Sequence, residues 1–322
     1  MSKSDRVEFA AVEQAALLLA KHLPASPLIW VEGGRVLLKD ESRLPTGSFK
    51  VRGALNRVLT DEAQARAKGV VAASAGNHGM GVAYAARLVG AKATIVVPQT
   101  AVAIKVTGIR SLGAEIVAAK GGYVEAEILG RELAGDRGAV WVSPYNDARV
   151  IAGQGVAGIE LIRQIEEVAG PALDEIYVPV GGGGLVAGVG IVIRRKSPAT
   201  RVVGAQPANS PFMAVAFGGG DRRSVVERPT SADGLAGDVE DGAVTIALVR
   251  KVVDAMVLVS ELEIREAAAW AWREAQLRIE PSAAVALAGC LKYGQGQCAV
   301  ILSGGNADPD WLASCGVPPA GR

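Results

Sequence analysis

Short apolar, β-branched runs alternating with helical segments constrain this chain more than any other feature. Val70–Ala73, Ala93–Val97, Gly138–Val142, Glu175–Val180, Val202–Ala205 and Cys298–Leu302 each have the length and composition of a buried strand. Between them Met80–Leu88, Val124–Leu133, Val150–Ile165 and Leu185–Arg194 carry helical patterns. Strands buried on both faces and separated by helix-length segments belong in parallel sheets, because a parallel neighbour is reached only through a crossover. The pattern predicts an α/β fold with parallel-rich sheets flanked by helices. Nearer the start, Leu28–Val31 and Val36–Lys39 flank Glu32–Arg35, a hairpin signal.

Several function classes fall away on composition. Half of the residues are hydrophobic and 21% are charged, so the chain can bury a large core and is not disordered. Lys and Arg number 34 against 33 Asp and Glu, which leaves no basic footprint for nucleic acid. Only His22 and His78 are present, so a metal site built on several imidazoles is excluded. Cys290, Cys298 and Cys315 form no Cys-x-x-Cys pair, and reduced cytosolic thiols fit them better than a disulfide framework. The amino terminus leads into Phe9, Val12, Ala16 and Leu19 on one helical face, and its acidic residues argue against a signal sequence. No uncharged apolar run is long enough to cross a bilayer. A soluble, cytoplasmic protein acting on a small molecule, with no membrane partner, is expected. The 40 glycines, about 12% of the chain against a usual ~7%, ask what the backbone must approach so closely.

Ligands of α/β proteins bind where strands end and helices begin, because unpaired helix amides point there. Three such junctions are rich in Gly, Ser and Asn. Gly181–Gly184 lies between Val180 and the helix opening at Leu185, where consecutive N–H groups can converge on a phosphate. It lacks the Gly-Lys-Ser/Thr of a P-loop and the spacing of a dinucleotide fingerprint, and a plain turn is the competing reading. Ser74–Gly79 follows the strand at Val70 and can bind a carboxylate or a ring hydroxyl, or simply cap a helix. Ser303–Asn306 follows the last strand and reads alone as a tight turn. Pro45–Gly53 holds Lys50 near the start of a helical run, where a lysine is ordinarily a solvated charge. The loop Phe217–Asp221 reads as a mobile surface turn.

Taken together these motifs match the needs of an aldehyde cofactor carrying a phosphate: an amine for a Schiff base, a glycine loop, and polar groups around a ring. The sequence resembles the fold-type II pyridoxal phosphate enzymes, in particular the serine/threonine dehydratase and serine racemase family. The resemblance runs from Lys39–Glu41 to Ser303–Asn306 with the motifs in the family's order. It implies a two-domain, tryptophan synthase β-like fold. Residues 1–68 and 147–322 would form the large cofactor-binding domain, and 69–146 the small domain that grips the substrate. A homodimer is the expected assembly.

By resemblance, Lys50 is the Schiff-base lysine and Phe49 lies against the cofactor ring. Asn77 would bond the ring hydroxyl, and Gly181, Gly182, Gly183, Gly184 and Leu185 the phosphate. Ser303 would face the pyridine nitrogen, and Gly234 and Glu280 would line the cofactor pocket. Ser74, Ala75, Gly76, Asn77 and His78 match the loop that holds the substrate carboxylate. Lys50 must be neutral to take a proton from Cα, so its pKa should be depressed in the free-amine state.

The implied reaction is the dehydration and deamination of a β-hydroxy-α-amino acid to a 2-oxo acid and ammonia. Serine and threonine are the default substrates, with 3-phenylserine and 3-hydroxyaspartate as alternatives. Serine racemisation, β-replacement and a non-catalytic cofactor-binding role are the competing functions. β-Replacement enzymes prefer Thr-Ser-Gly-Asn-Thr where this chain has Ser74–His78, and retention of Lys50 speaks against a mere scaffold. The end of the chain soon after Ser303 suggests a catabolic enzyme without a regulatory domain. The family's divalent-metal site pairs an acid before a proline with an Asp six residues on. Here those positions are Gln206 and Phe212, so no metal is expected. Racemases place a serine at the position of Ala75, where this chain lacks a second acid/base. Elimination without racemisation is therefore predicted, and chiral chromatography of L-serine incubated with the protein should reveal no accumulating D-serine.

Overall fold

The computed structural model describes residues 7–99 and 103–318. The first six residues, expected to lead into a helix, lie outside the described residues, as does the chain's end at Arg322. In chain order, α1 (Phe9–Leu19) precedes β1 (Leu28–Val31) and β2 (Val36–Asp40). Next come α2 (Lys50–Thr60), α3 (Glu62–Lys68), β3 (Val70–Ala73), α4 (Asn77–Val89), β4 (Ala93–Pro98), α5 (Ala103–Ser111), β5 (Glu115–Ala119), α6 (Tyr123–Arg137) and β6 (Val140–Trp141). The remainder is α7 (Ala148–Glu167), β7 (Glu175–Pro179), α8 (Gly184–Lys196), β8 (Arg201–Pro207), α9 (Phe212–Phe217), α10 (Val244–Val252), β9 (Ala255–Val259), α11 (Glu261–Ala275), α12 (Pro281–Tyr293), β10 (Cys298–Leu302) and α13 (Pro309–Ser314). None of the described helices is long and apolar enough to cross a membrane.

Contacts gather the chain into two compact units. One holds Met1–Leu23 with Leu44–Gln154, the other Pro24–Arg43 with Gly155–Arg322. These packing boundaries run elsewhere than the functional ones expected at 68/69 and 146/147. The reason is that α2 packs along α4 and the first turns of α7, which carries residues 44–68 with them.

The first unit is built on a four-stranded parallel sheet of order β5-β4-β3-β6. Val71, Ala73, Val96 and Ala119 meet Ala126 and Ala134 of α6 in one apolar cluster. Gly130 lets the helix come down onto Trp141, since a Cβ there would lie 2.7 Å from the indole ring. The expected strand at 138–142 shrinks to two residues. Gly138, at φ +61, ends α6, and the Ala139 N–H donates back to Ala134.

The second unit holds a six-stranded sheet of order β1-β2-β10-β7-β8-β9. Only β1 and β2 are antiparallel, joined by the expected hairpin; the other pairs are parallel. Helix α12 runs Ala-Ala-Val-Ala-Leu-Ala-Gly from Ala283 to Gly289 and is buried along most of its length. Gly289 brings it onto the sheet, where an added Cβ would stand 3.1 Å from Val257 and 3.4 Å from Tyr177.

Three consecutive charged residues, Lys39, Asp40 and Glu41, are wholly inside this unit. Lys39 of β2 is 0% exposed, and its ammonium donates to the Ser26 carbonyl (2.7 Å), the Glu160 carboxylate (2.8 Å) and the Gln164 amide oxygen (2.9 Å). Three donors meet three acceptors, which is the condition under which a buried ammonium is tolerated. Lys39→Met should strand the Glu160 carboxylate and cost about 3–5 kcal/mol, read as a fall in the urea midpoint monitored by circular dichroism.

Candidate active site

The first unit holds the candidate amine and carboxylate loop. Lys50 opens α2 directly after Phe49, whose backbone is already helical. Its helix is seated by glycines. A Cβ on Gly81 of α4 would lie 3.1 Å from the Lys50 carbonyl group, and one on Gly153 of α7 would lie 2.7 Å from the Arg52 carbonyl. Backbone therefore packs on backbone, and α2 has little room to shift. Lys50 is half-buried, and its Nζ donates to the Pro144 carbonyl at 3.0 Å and stands 5.2 Å from the centre of the Phe49 ring.

Strand β3 delivers the carboxylate loop. The Ser74 N–H continues the sheet by donating to the Val96 carbonyl, and the Ser74 hydroxyl accepts from the Gly76 N–H at 3.1 Å. Gly76 is the cap position of α4, and no side chain caps the helix. Ser74, Ala75, Gly76 and Asn77 are half-buried around that helix N-terminus, the arrangement that favours an anion. His78 is buried beneath them and donates from Nε2 to the Val142 carbonyl at 2.9 Å. Burial, and secondarily the positive charge of Lys50, hold its pKa down to about 3, against the opposing pull of the Val142 hydrogen bond. His78 is a neutral imidazole.

The second unit gathers the remaining candidates at the carboxyl ends of adjacent strands. β7 and β10 are parallel neighbours, so Gly181–Gly184 and Ser303 leave the same edge of the sheet. Gly183 caps α8 at φ +84, a conformation that disfavours any side chain. A Cβ there would also collide with Met213 at 2.9 Å and Val249 at 3.1 Å. Gly181 lies against Gly234 and Leu235, and a Cβ on Gly234 would lie 2.8 Å from the Ser282 hydroxyl. Leu185 and Ser303 are buried, and the Glu280 N–H donates to the Gly304 carbonyl at 3.1 Å. The loop, Gly234, Glu280 and Ser303 thus come together in one unit, as Phe49, Lys50 and Ser74–His78 do in the other.

Sequence reasoning did not pick out Thr245 or Ser282. Thr245 sits beside Gly183 with its hydroxyl fully buried and without a partner, and no motif marks it. Gln206, where an acid was expected to be missing, uses its amide oxygen to accept the Ala214 N–H at 2.7 Å. Phe212, the other altered position, is buried.

Each unit by itself offers groups that fit pyridoxal phosphate. The first has a half-buried amine; the second has a buried hydroxyl at a strand end and an uncapped, glycine-lined helix N-terminus whose cradle any Cβ at 183 would fill.

Comparison with known proteins agrees. The profile of the family described as "Pyridoxal-phosphate dependent enzyme" matches residues 21–304. L-threonine ammonia-lyase of Thermotoga maritima is 40% identical over 305 residues, covering 92% of this chain and 74% of that protein. Serine racemase of Rattus norvegicus is 35% identical over 320 residues, 94% of each chain. Among solved structures, a threonine deaminase from T.th. superposes with a TM-score of 0.86 at 34% identity, covering 94% of this chain and 99% of that one. The family expected from the motifs is the family found: this chain belongs to the pyridoxal-phosphate dependent enzymes, as a fold-type II member of the serine/threonine dehydratase-like group.

Proposed function

We propose that this enzyme is an ammonia-lyase that converts a β-hydroxy-α-amino acid, threonine or serine first, to a 2-oxo acid and ammonia. The observation that carries this reading is the 40% identity to a threonine ammonia-lyase across 92% of the chain. Serine racemase is the second reading, favoured by a match over 94% of both chains and opposed by Ala75.

In this reading the uncapped start of α4 and the Ser74 hydroxyl hold the substrate carboxylate, because helix dipole and hydroxyl both favour an anion. Gly181, Gly182, Gly183, Gly184 and Leu185 hold the phosphate in the same way. Asn77 and Ser303 address the ring hydroxyl and the ring nitrogen, with Phe49, Gly234 and Glu280 lining the pocket. Bound there, pyridoxal phosphate supplies an aldehyde and a ring that stabilises negative charge at Cα. Ser303, a neutral hydroxyl in place of a carboxylate, would offer the ring nitrogen no anionic partner, which would moderate this stabilisation. Lys50 holds the cofactor at rest and, as a free neutral amine, takes the Cα proton of the substrate. The first unit would thus grip the substrate and present the amine, and the second would anchor the cofactor. Action in the cytoplasm as a homodimer belongs to the same proposal.

The test is release of 2-oxo acid from a panel of L-threonine, L-serine, 3-phenylserine and 3-hydroxyaspartate, followed with a coupled dehydrogenase. Threonine or serine should be turned over fastest, and no oxo acid from any member would overturn the reading. Lys50→Ala should abolish the visible absorbance of the lysine-bound cofactor and lower turnover by about 10³-fold or more. Gly183→Ala places a side chain where left-handed backbone costs about 1–2 kcal/mol. It should weaken cofactor affinity about tenfold in a fluorescence titration.

A further inference from the structure

Lys50 and His78 reach the same short stretch of backbone from different helices. The segment after β6 begins at Val142, whose N–H donates to the Val71 carbonyl at 2.9 Å and so ties the stretch to β3. The Val142 carbonyl accepts from His78 Nε2 at 2.9 Å. Two residues on, the Pro144 carbonyl accepts from Lys50 Nζ at 3.0 Å. Between them Ser143 is buried, and its hydroxyl accepts the Asn146 N–H at 3.0 Å. Residues 142–146 thus form a strap pinned by the sheet, by its own turn and by one side chain from α4.

His78 is suited to that pinning role. A carbonyl can be satisfied only by a donor, so Nε2 carries the proton and the imidazole holds the Nε2–H tautomer. The other ring nitrogen, Nδ1, is buried without a partner, so the bond to Val142 is what sets the ring. Neutral at working pH, the ring can tie down the strap without repelling the lysine charge beside it. Proline at 144 has no N–H, so at that point the strap offers an ammonium only an acceptor.

We propose that His78 is a positioning residue for Lys50: its bond to Val142 fixes the strap whose Pro144 carbonyl receives the lysine amine whenever that amine is free. An amine that alternately binds an aldehyde and carries a proton needs a defined place to stand when released, and the strap supplies it. This rests on Lys50 being the cofactor lysine.

Two shorter side chains of one chemistry provide the test. In His78→Gln the amide nitrogen can reach the place of Nε2 and donate to Val142. In His78→Asn the amide falls short by one methylene. Cofactor-free protein is mixed with pyridoxal phosphate, and growth of the visible band of the lysine linkage is followed by stopped flow. Binding of pyridoxamine phosphate, which has no aldehyde to condense, reports the phosphate site alone. His78→Asn should form the linkage about tenfold more slowly, the worth of one hydrogen bond, with pyridoxamine phosphate affinity unchanged. His78→Gln should recover the wild-type rate to within about twofold. Equal rates in the two variants would overturn the proposal, as would a loss of pyridoxamine phosphate affinity that parallels the loss of rate. If Lys50→Ala kept the visible band, the lysine assignment itself would fall, so the two failures are distinguishable without any substrate.

Discussion

The role proposed for the Lys50 amine requires its helix to hold still, and that stillness comes from backbone meeting backbone. Gly81 lets α4 close on the Lys50 carbonyl, and Gly53 and Gly153 let α7 close on the next turn, with a would-be Cβ of Gly153 2.8 Å from the Gly53 Cα. Asn56 secures the same contact by donating to the Arg149 carbonyl at 2.7 Å. A methyl group at either interface would push α2 by a substantial fraction of an ångström, and proton transfer is sensitive on that scale.

The second unit solves its problem with the same residue for a different purpose. Around Gly181–Gly184 the missing side chains would, in the proposed reading, leave room for main-chain amides to face a phosphate, with the dipole of α8 adding to their field. Neutral peptide groups can then hold an anion with no charged side chain in the motif. Much of the glycine excess is therefore a requirement for proximity, some of it helix to helix and some of it loop to ligand.

Legibility from sequence followed burial. β3 and β10 are seen over the expected residues because each is an inner strand, apolar on both faces. β5 and β9 escaped notice, and both are edge strands. Paired on one side only, both leave several residues half-exposed; β5 opens on the charge of Glu115, whereas Ala255–Val259 is apolar throughout and its edge position leaves no mark in residue type. The candidate site could be proposed from sequence where chemistry dictates residue type at fixed spacing, as at Ser74–His78 and Gly181–Gly184. The carbonyls of Val142 and Pro144 could not be, because a backbone acceptor leaves no trace in residue identity, and Thr245 lies in no motif. The packing role of residues 44–68 was hidden for a similar reason: Gly53 and Gly81 look alike as letters whether they mark a turn or a contact.

The strand order of the larger sheet also bears on how the chain acquires its structure. β10 sits between β2 and β7, pairing Cys298 with Val36 on one side and with Glu175 on the other. The hairpin of β1 and β2, made early on the ribosome, cannot join its sheet until nearly all the intervening sequence has been translated. Loop closure over such a span is slow, and β2 meanwhile keeps an apolar edge unpaired. The four-stranded sheet has no such delay, since its strands follow one another along the chain. Biogenesis should therefore be sequential, with the unit that carries the lysine compact first and Ser303 reaching its place last. The interval between the two is when a chaperone would find the most exposed strand edge to cover.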